Sequence, residues 1–427
     1  MADGAEWTLL GALPGDEVET FAGVRPPVLV TRAEGRRGIG CPQRACPGCP
    51  LSPLPYEEQL EAKRRLVARA LEHSLGTVEL PPVRPTLASP QTLGYRASAK
   101  LSVARGPKGP CIGIYRRGTH DVLDLHRCPV HHPLVAAGIR ALRSLLSRAP
   151  GLVAPGPGAH GWLRYAAFQV SVAEGKLLVT LVTQDDRRGQ ILPALAARLA
   201  ERLPRLSGVA WNINPTEGNE IFGEEWKRIS GEDHVRERLG EITVRASAGS
   251  FLQVNREQAA RAYAETLSWI DLGPCDRALD LYCGVGALSL HLAKRADSVL
   301  GLDASSRAIA DARSSARDLG VTNAVFRQAR VEEELPQLLR EGFRPDAVTL
   351  NPARKGAGEA VIAALRSARP RAVVYLSCNP EALAIDAASL CSGGLYRLER
   401  IQPLDFFPHT AHVETLALLR RNDSAGG

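Results

Sequence analysis

From residue 255 onward the chain alternates short apolar runs with longer amphipathic ones. RALDLYC, SVLGLD, AVFRQA, AVTLNP and AVVYLS are separated by stretches of ten or more residues with helical periodicity. Continuous apolar strands need cover on both faces, so this alternation predicts a parallel, doubly wound α/β sheet. The segment opens with NREQAARAYAETLSWI, where Asn255 and Gln258 stand at capping-box spacing ahead of an amphipathic helix. Upstream the period changes to two. RASAKLSVARG, CIGIYRRGTHDVLDL and FQVSVAEGKLLVTLVT alternate as hairpin strands do, the last turning at Glu174 and Gly175, and a leucine-rich helix is expected from Gln190 to Leu206. Nearer the start, PYEEQLEAKRRLVARALEH (Pro55 to His73) sets Leu60, Val67 and Leu71 near helical spacing, with acids early and bases late as the helix dipole prefers.

These patterns divide the chain into four parts. Residues 1–40 form a short N-terminal arm with Gly, Pro and acid clusters, and 41–90 hold a cysteine segment, a helix and a Pro-rich linker from Leu80 to Pro90. Residues 91–254 form a central, mainly antiparallel α+β domain, and 255–427 the α/β domain. A length of 427 residues agrees with two to three domains. No apolar run reaches the roughly 18 residues of a membrane span, and acids occupy the place of a basic leader, so a cytoplasmic, non-membrane protein is expected.

Nine cysteines are too few for a disulfide scaffold, and three fall within Cys41 to Cys49, which points to a reducing compartment and a metal site. Cys41, Cys46 and Cys49 form C-x4-C-x2-C, and Cys128 supplies a fourth thiolate 128 − 49 = 79 residues on. Four thiolates suit a [4Fe-4S] cluster or tetrahedral zinc. With His126, His131 and His132 beside Cys128, spacing leaves both open. The C-x3-C-x2-C spacing of radical enzymes is absent, and a fourth Cys closes the site. Cys111, Cys275, Cys283 and Cys391 read as structural. A net charge of +7 is modest, but between Tyr95 and Arg148 ten Lys or Arg face only Asp121 and Asp124. With Tyr95 and Tyr115 interleaved, that stretch fits contacts to an RNA backbone and unstacked bases, and composition fits a solvated basic face equally well. No protein partner is implied.

The strand RALDLYC ends in Cys283-Gly284-Val285-Gly286, a turn whose glycines admit a ligand close to the backbone. Position 289 is Ser, so the third glycine of a dinucleotide fingerprint is missing. Asp280 before the turn and Asp303 at the end of the next strand instead resemble the first two motifs of class I methyltransferases. There the strand-end carboxylate accepts hydrogen bonds from ribose hydroxyls of S-adenosyl-L-methionine.

Three further runs sharpen the resemblance: SFLQVN (Ser250 to Asn255), LSCNP (Leu376 to Pro380) and FFPHTAHVET (Phe406 to Thr415). Together with LDLYCGVG and LNPARKGAG they resemble the RNA uracil-5-methyltransferases, specifically the iron-sulfur branch that modifies 23S ribosomal RNA, over about Cys41 to Arg420. The resemblance implies a class I, Rossmann-like methyltransferase domain and S-adenosyl-L-methionine as cofactor. It also implies a [4Fe-4S] cluster on Cys41, Cys46, Cys49 and Cys128, with Cys378 as nucleophile and Glu414 as base. The implied cofactor contacts are Gln253, with Phe251 beside it, then Tyr282, Gly284, Gly286 and Asp303, and the positions of Ala287, Arg330 and Asn351. At those last three, relatives carry Asn, Asn and Asp. At position 351 a carboxylate has thus become an amide, which hydrogen-bonds but cannot counter a sulfonium charge. Relatives often begin with a small RNA-binding barrel called TRAM; the residues before Cys41 are too few for one, and GALPGDEVE reads as a remnant.

The chemistry accounts for the residue types. Carbon 5 of uracil is too weak a nucleophile to take a methyl group until a thiolate adds to carbon 6, and a base must afterwards remove the hydrogen at carbon 5. One Cys and one carboxylate suffice. The expected substrate is 23S ribosomal RNA. Transfer RNA is the alternative, because the two branches share catalytic motifs. Asn351 motivates a rival reading as an iron-sulfur RNA-binding protein with impaired catalysis, which the intact Cys378 and Glu414 oppose.

Overall fold

The computed structural model describes residues 39–43, 46–76, 80–106, 108–116, 119, 121–125, 127–153, 161–216, 218 and 220–422, and the backbone of two short strands near the N-terminus. Those strands, β1 (Glu17–Glu19) and β2 (Val28–Thr31), pair antiparallel. The rest of the GALPGDEVE run lies outside the described residues, as does His126.

After the cysteine segment comes α1 (Tyr56–Leu75), whose buried stripe is Gln59, Lys63, Val67, Leu71 and Leu75. Its apolar end packs with Leu383, Ala384 and Ala387 in one core. The first two stripe positions are polar, whereas the apolar pattern had pointed to Leu60, which is only partly buried. The reason lies in what they touch, described below. The Pro-rich segment after α1 is not a free linker. Arg84 and Leu87 donate their N–H groups to Ile401 and Pro403, and Leu87 accepts from Asp405, so the segment lines the sheet edge as an extra extended stretch.

The central layer comprises β3 (Ser98–Gly106), β4 (Gly109–Tyr115), β5 (Val122–Asp124), α2 (Pro133–Leu146), β6 (Leu163–Ser171), β7 (Lys176–Thr183), α3 (Leu192–Arg202), β8 (Leu206–Ile213) and β9 (Glu225–Gly231). Its sheet has the order β5-β4-β3-β6-β7-β8-β9. All its neighbours are antiparallel except β7 and β8, which α3 joins as a crossover. The expected Gln190–Leu206 helix is therefore shorter at both ends: a tight 3-10 turn occupies Gly189–Ile191, and the chain enters β8 at Leu206. One face of this sheet packs its own core against α2 and α3, with Ile139, Leu142, Phe168, Leu181 and Leu199 buried.

A hairpin, β10 (His234–Leu239) and β11 (Ile242–Ser247), packs into the core of the next layer rather than joining the central sheet. That layer runs α4 (Arg256–Ile270), β12 (Arg277–Leu281), α5 (Ala287–Leu292), β13 (Ser298–Asp303), α6 (Ser306–Asp318), β14 (Ala324–Gln328), α7 (Val331–Arg340), β15 (Ala347–Leu350), α8 (Glu359–Ala368), β16 (Ala372–Ser377), α9 (Pro380–Cys391), β17 (Tyr396–Leu404) and β18 (Glu414–Arg421). Its strand order is β14-β13-β12-β15-β16-β18-β17, parallel as expected through β16 and closed by an antiparallel pair. Asn255 caps α4 by accepting the Gln258 N–H at 3.2 Å. The reciprocal half of the capping box is missing, because the Gln258 side chain donates to the Leu87 carbonyl instead.

Candidate active site

Functional side chains gather where the parallel strands end, the position at which open α/β sheets bind ligands. The turn after β12 is compact. Asp280 is buried and accepts the hydroxyls of Ser289 and, at 2.7 Å, Thr349; burial pushes its pKa up to about 6 despite both bonds. Asp280 thus braces the turn from inside.

The two glycines have different duties. A Cβ on Gly284 would meet nothing within 4 Å, so its side of the turn is open to a ligand. A Cβ on Gly286, at φ +78°, would lie 2.7 Å from the Phe326 ring and 2.9 Å from Ala312, so this glycine serves helix–sheet packing. The Asp303 carboxylate closes the open side. Its Oδ2 accepts the Gly284 N–H at 2.9 Å and its Oδ1 the Ser305 N–H at 2.8 Å, leaving lone pairs for further donors. Tyr282 takes a positive φ of 60°, and with Asn351 it lines a small crevice of about 40 Å³ under the turn. Gln253 is buried just before α4, and Ala287 begins α5, buried. Asp303 and Gly284 are joined by a hydrogen bond, and Tyr282 and Asn351 share the crevice. Arg330 differs: it begins α7, its side chain is exposed, and it pairs with Glu333 at 3.1 Å and Glu332 at 3.7 Å.

Cys378 follows β16, every residue of which is buried. The strand stops because Asn379 caps α9, accepting the Glu381 N–H at 3.2 Å, with Pro380 opening the helix. The thiol is half-buried. Burial and the nearby Glu414 raise its pKa, and Arg354 opposes them. Glu414 opens β18, one strand over, where it is paired with Leu404 of β17. It is 3% exposed, its Oε2 has no hydrogen-bond partner, and burial pushes its pKa up to about 7, again against Arg354. Cys378 and Glu414, which follow and precede the paired residues Ser377 and Thr415, therefore share one electrostatic field. Arg354 is the residue the motifs did not single out. The Asn379 side chain donates to its carbonyl at 2.9 Å, tying the LNPARK turn to the SCNP turn, and its charge lowers the pKa of Cys378, Glu414 and His412 alike. Its position inside LNPARKGAG was the available signal.

The loop between β17 and β18, which leads into Glu414, is held from α1. Lys63 and Asp405 form an ion pair of 2.6 Å with both side chains fully buried. Lys63 also donates to the Phe407 carbonyl at 2.9 Å, and Tyr56 donates to Asp405 Oδ2 at 2.9 Å. Gln59 accepts the His409 N–H at 2.9 Å and touches that ring at 3.3 Å. His409 stands at φ +71°, a left-handed conformation that costs a non-glycine residue about 1–2 kcal/mol and needs such support. Removing one partner of a buried ion pair typically costs about 3–5 kcal/mol. This is why the buried stripe of α1 begins with Gln and Lys.

The cysteine segment lies against the same loop. Leu51, two residues after Cys49, donates its N–H to the His409 carbonyl at 2.9 Å. Among the described residues, no three His, Cys, Asp or Glu side chains close on a point suited to a single metal ion. Burial, and after it the neighbouring thiols of Cys128, Cys46 and Cys41, nevertheless push the pKa of Cys49 up to about 12, so these four side chains lie close to one another. Backbone N–H groups of Gly48, and of Val130 and His131, point at the sulfurs of Cys46 and Cys128. Four converging thiols with N–H donors fit a cluster of several metals bridged by sulfide, which spreads its ligands wider than one ion does.

Tyr95 corrects one expectation. It is buried and donates to the Pro408 carbonyl at 3.1 Å, so it cannot stack on a base; Tyr115 is bonded to Tyr165. Exposed aromatic surface lies elsewhere. Lys100 sits 4.8 Å over Phe222, Phe222 lies 5.0 Å from Trp226, and Arg307 sits 4.5 Å over Trp226. This ladder of cation, two rings and cation connects β3 to α6. The Arg307 Nε has no hydrogen-bond partner, Gly249 lets its backbone lie against Trp226, and Phe251, two residues on, is 63% exposed.

Residues 223–422 match the family model described as tRNA (uracil-5-)-methyltransferase. An uncharacterized RNA methyltransferase of Geobacter sulfurreducens is 36% identical over 429 residues, covering 98% of this chain and 86% of the relative. Another from Bacillus anthracis is 32% identical over 421 residues, covering 96% and 90%. Among solved structures, the Pyrococcus abyssi tRNA (uracil-54, C5)-methyltransferase in complex with S-adenosyl-L-homocysteine superposes with a TM-score of 0.74 at 27% identity, covering 96% of this chain and 94% of that one.

Proposed function

The chain belongs to the RNA uracil-5-methyltransferase family, an S-adenosyl-L-methionine-dependent enzyme family, and on that premise we propose that it methylates carbon 5 of one uridine in 23S ribosomal RNA through a covalent adduct with Cys378. The observation that carries the reading is the buried Glu414 carboxyl, whose Oε2 has no hydrogen-bond partner and whose pKa burial raises to about 7, close enough to Cys378 to act on its thiol.

The Cys378 thiolate adds to carbon 6 of the uracil, and the displaced electrons move through carbon 5 to the carbonyl oxygen on carbon 4 as an enolate. Arg354 favours both the thiolate and this anion. Carbon 5 of the enolate would then take the methyl group that S-adenosyl-L-methionine supplies, leaving S-adenosyl-L-homocysteine, with the residues of the Gly284 turn holding the cofactor. Glu414 removes the hydrogen from carbon 5, the ring double bond re-forms, and Cys378 departs as thiolate. A carboxylate whose pKa lies near the working pH suits this proton transfer. The cofactor contacts in this reading are Asp303 to the ribose, Gln253, Tyr282 and Asn351 around the methionine part, and the backbone at Gly284, Gly286 and Ala287. Arg330 contributes through its backbone at the start of α7. The cation–aromatic ladder, continuous with the exposed Phe251, supplies stacking and charge for single-stranded RNA.

Cys41, Cys46, Cys49 and Cys128 would hold a [4Fe-4S] cluster, whose contribution is to join the N-terminal segment to the central layer. Transfer RNA is the second substrate reading, favoured by the likeness to a transfer RNA methyltransferase. Mass spectrometry of ribosomal and transfer RNA fractions from cells with and without the gene distinguishes the two. RNA carrying 5-fluorouridine should form a denaturation-stable adduct with the wild type and none with Cys378→Ala. An adduct that persists in Cys378→Ala would remove that thiol from the mechanism.

A further inference from the structure

The polar start of the α1 stripe has no packing rationale of its own, since an apolar pair at positions 59 and 63 would extend the core already formed by Val67, Leu71 and Leu75. Both side chains instead reach the loop between β17 and β18, 342 and 350 residues away in sequence. Every described polar contact of the Lys63 ammonium is to that loop: Asp405 Oδ1 at 2.6 Å and the Phe407 carbonyl at 2.9 Å. Asp405 Oδ1 also accepts the Phe407 N–H at 3.1 Å, which folds the loop back on itself around the ammonium. Gln59 then fixes His409, and the Tyr95 hydroxyl fixes Pro408. From His409 the chain needs only five residues to reach Glu414, the first residue of β18.

We infer that Lys63 and Gln59 are positioning residues for proton abstraction: α1 clamps the β17–β18 loop through the Lys63–Asp405 pair and His409, and so aims Glu414 at carbon 5 of the target base. The inference rests on the proposed role of Glu414. The physical requirement is strict, because the Oε2 atom of the buried carboxyl has no hydrogen-bond partner among the described residues to hold its orientation. Its place is set by the backbone on either side, by pairing with Leu404 and by the clamped loop. Misplacing a catalytic group by about 1 Å can cost about a hundredfold in rate. Nucleophilic addition and methyl transfer depend on Cys378, which is carried by the turn between β16 and α9 rather than by the clamped loop, and should be much less affected.

The signature is therefore a stalled elimination. Full-length Lys63→Met, supplied with S-adenosyl-L-methionine and a target RNA, should lose ten- to a hundredfold in kcat and accumulate a methylated, denaturation-stable protein–RNA adduct. Its affinity for S-adenosyl-L-homocysteine should stay within about twofold of the wild type. Lys63→Arg, which can keep the ion pair, should restore most of kcat. Gln59→Leu leaves the ion pair intact and keeps the test alive if Lys63→Met does not fold; it should give a smaller loss with the same adduct. The idea is overturned if folded Lys63→Met, or Gln59→Leu in its stead, turns over like the wild type or slows without adduct. Glu414→Gln is the reference for the underlying mechanism. If that variant accumulates no adduct, the base assignment itself fails, whereas adduct in Glu414→Gln alone rejects the clamp and leaves the base in place.

Discussion

Asp303 Oδ2 accepts the backbone N–H of Gly284 at 2.9 Å, so the acid at the end of β13 and the glycine turn after β12 form one unit. Asp303→Ala should damage the cofactor site twice, removing the ribose acceptor and loosening the turn. A hydrogen bond to a charged group is worth about 1.5–3 kcal/mol, so affinity for S-adenosyl-L-homocysteine should fall roughly ten- to a hundredfold. Calorimetric titration without RNA reads this directly. Unchanged affinity would separate Asp303 from the cofactor.

Glu414 links activity to stability in opposite senses. Its folded pKa is raised from 4.5 to about 7 by burial, so between those values the folded state binds a proton that the unfolded chain has released. Stability should therefore fall as pH rises through that window, while kcat rises through the same range as the base ionises. Glu414→Gln removes the buried charge. It should match the wild type near pH 4 and exceed it above pH 7 by at most about 3 kcal/mol in urea unfolding, while being unable to complete turnover. Parallel stability curves for the two proteins would show that the carboxyl is not held as described.

The cysteine site makes a compositional prediction. Anaerobically purified protein should be brown with about four irons per chain. Cys128→Ala should lose iron and lower the melting temperature, because the site joins the N-terminal segment to the central layer across a long loop. Affinity for S-adenosyl-L-homocysteine should change less than affinity for RNA. Stoichiometric zinc without iron would point to the other metal that spacing left open.

The ladder of Lys100, Phe222, Trp226 and Arg307 should contribute to RNA affinity and not to cofactor affinity. Stacking of a base on an aromatic ring is worth about 1–3 kcal/mol, so Trp226→Ala should weaken binding of a single-stranded target RNA about five- to a hundredfold. Arg307→Gln should in addition make binding less steep in salt, by about one unit of slope if one phosphate contact is lost. Anisotropy titrations at several salt concentrations test both. Retention of wild-type RNA affinity by a folded Trp226→Ala would confine the ladder to a packing role.

The candidate site was legible in the sequence because its pieces are local. A cysteine at a strand end followed by an Asn-Pro cap, or a glycine turn between a strand and a helix, is encoded within a few consecutive residues. The alternation of apolar strands with helices likewise announced the α/β layer, since parallel strands must be covered on both faces. The local pattern did not reveal what each buried face is buried against. Gln59 and Lys63 look like solvent residues until Asp405 and His409 arrive from the other end of the chain, and Tyr95 looks like a stacking platform until Pro408 covers its hydroxyl. Arg354 acquires its importance from three groups on separate turns. Hydrophobic periodicity states that a position is inside; only the tertiary structure decides which partner makes a polar group affordable there, because that partner's charge and geometry come from a distant segment.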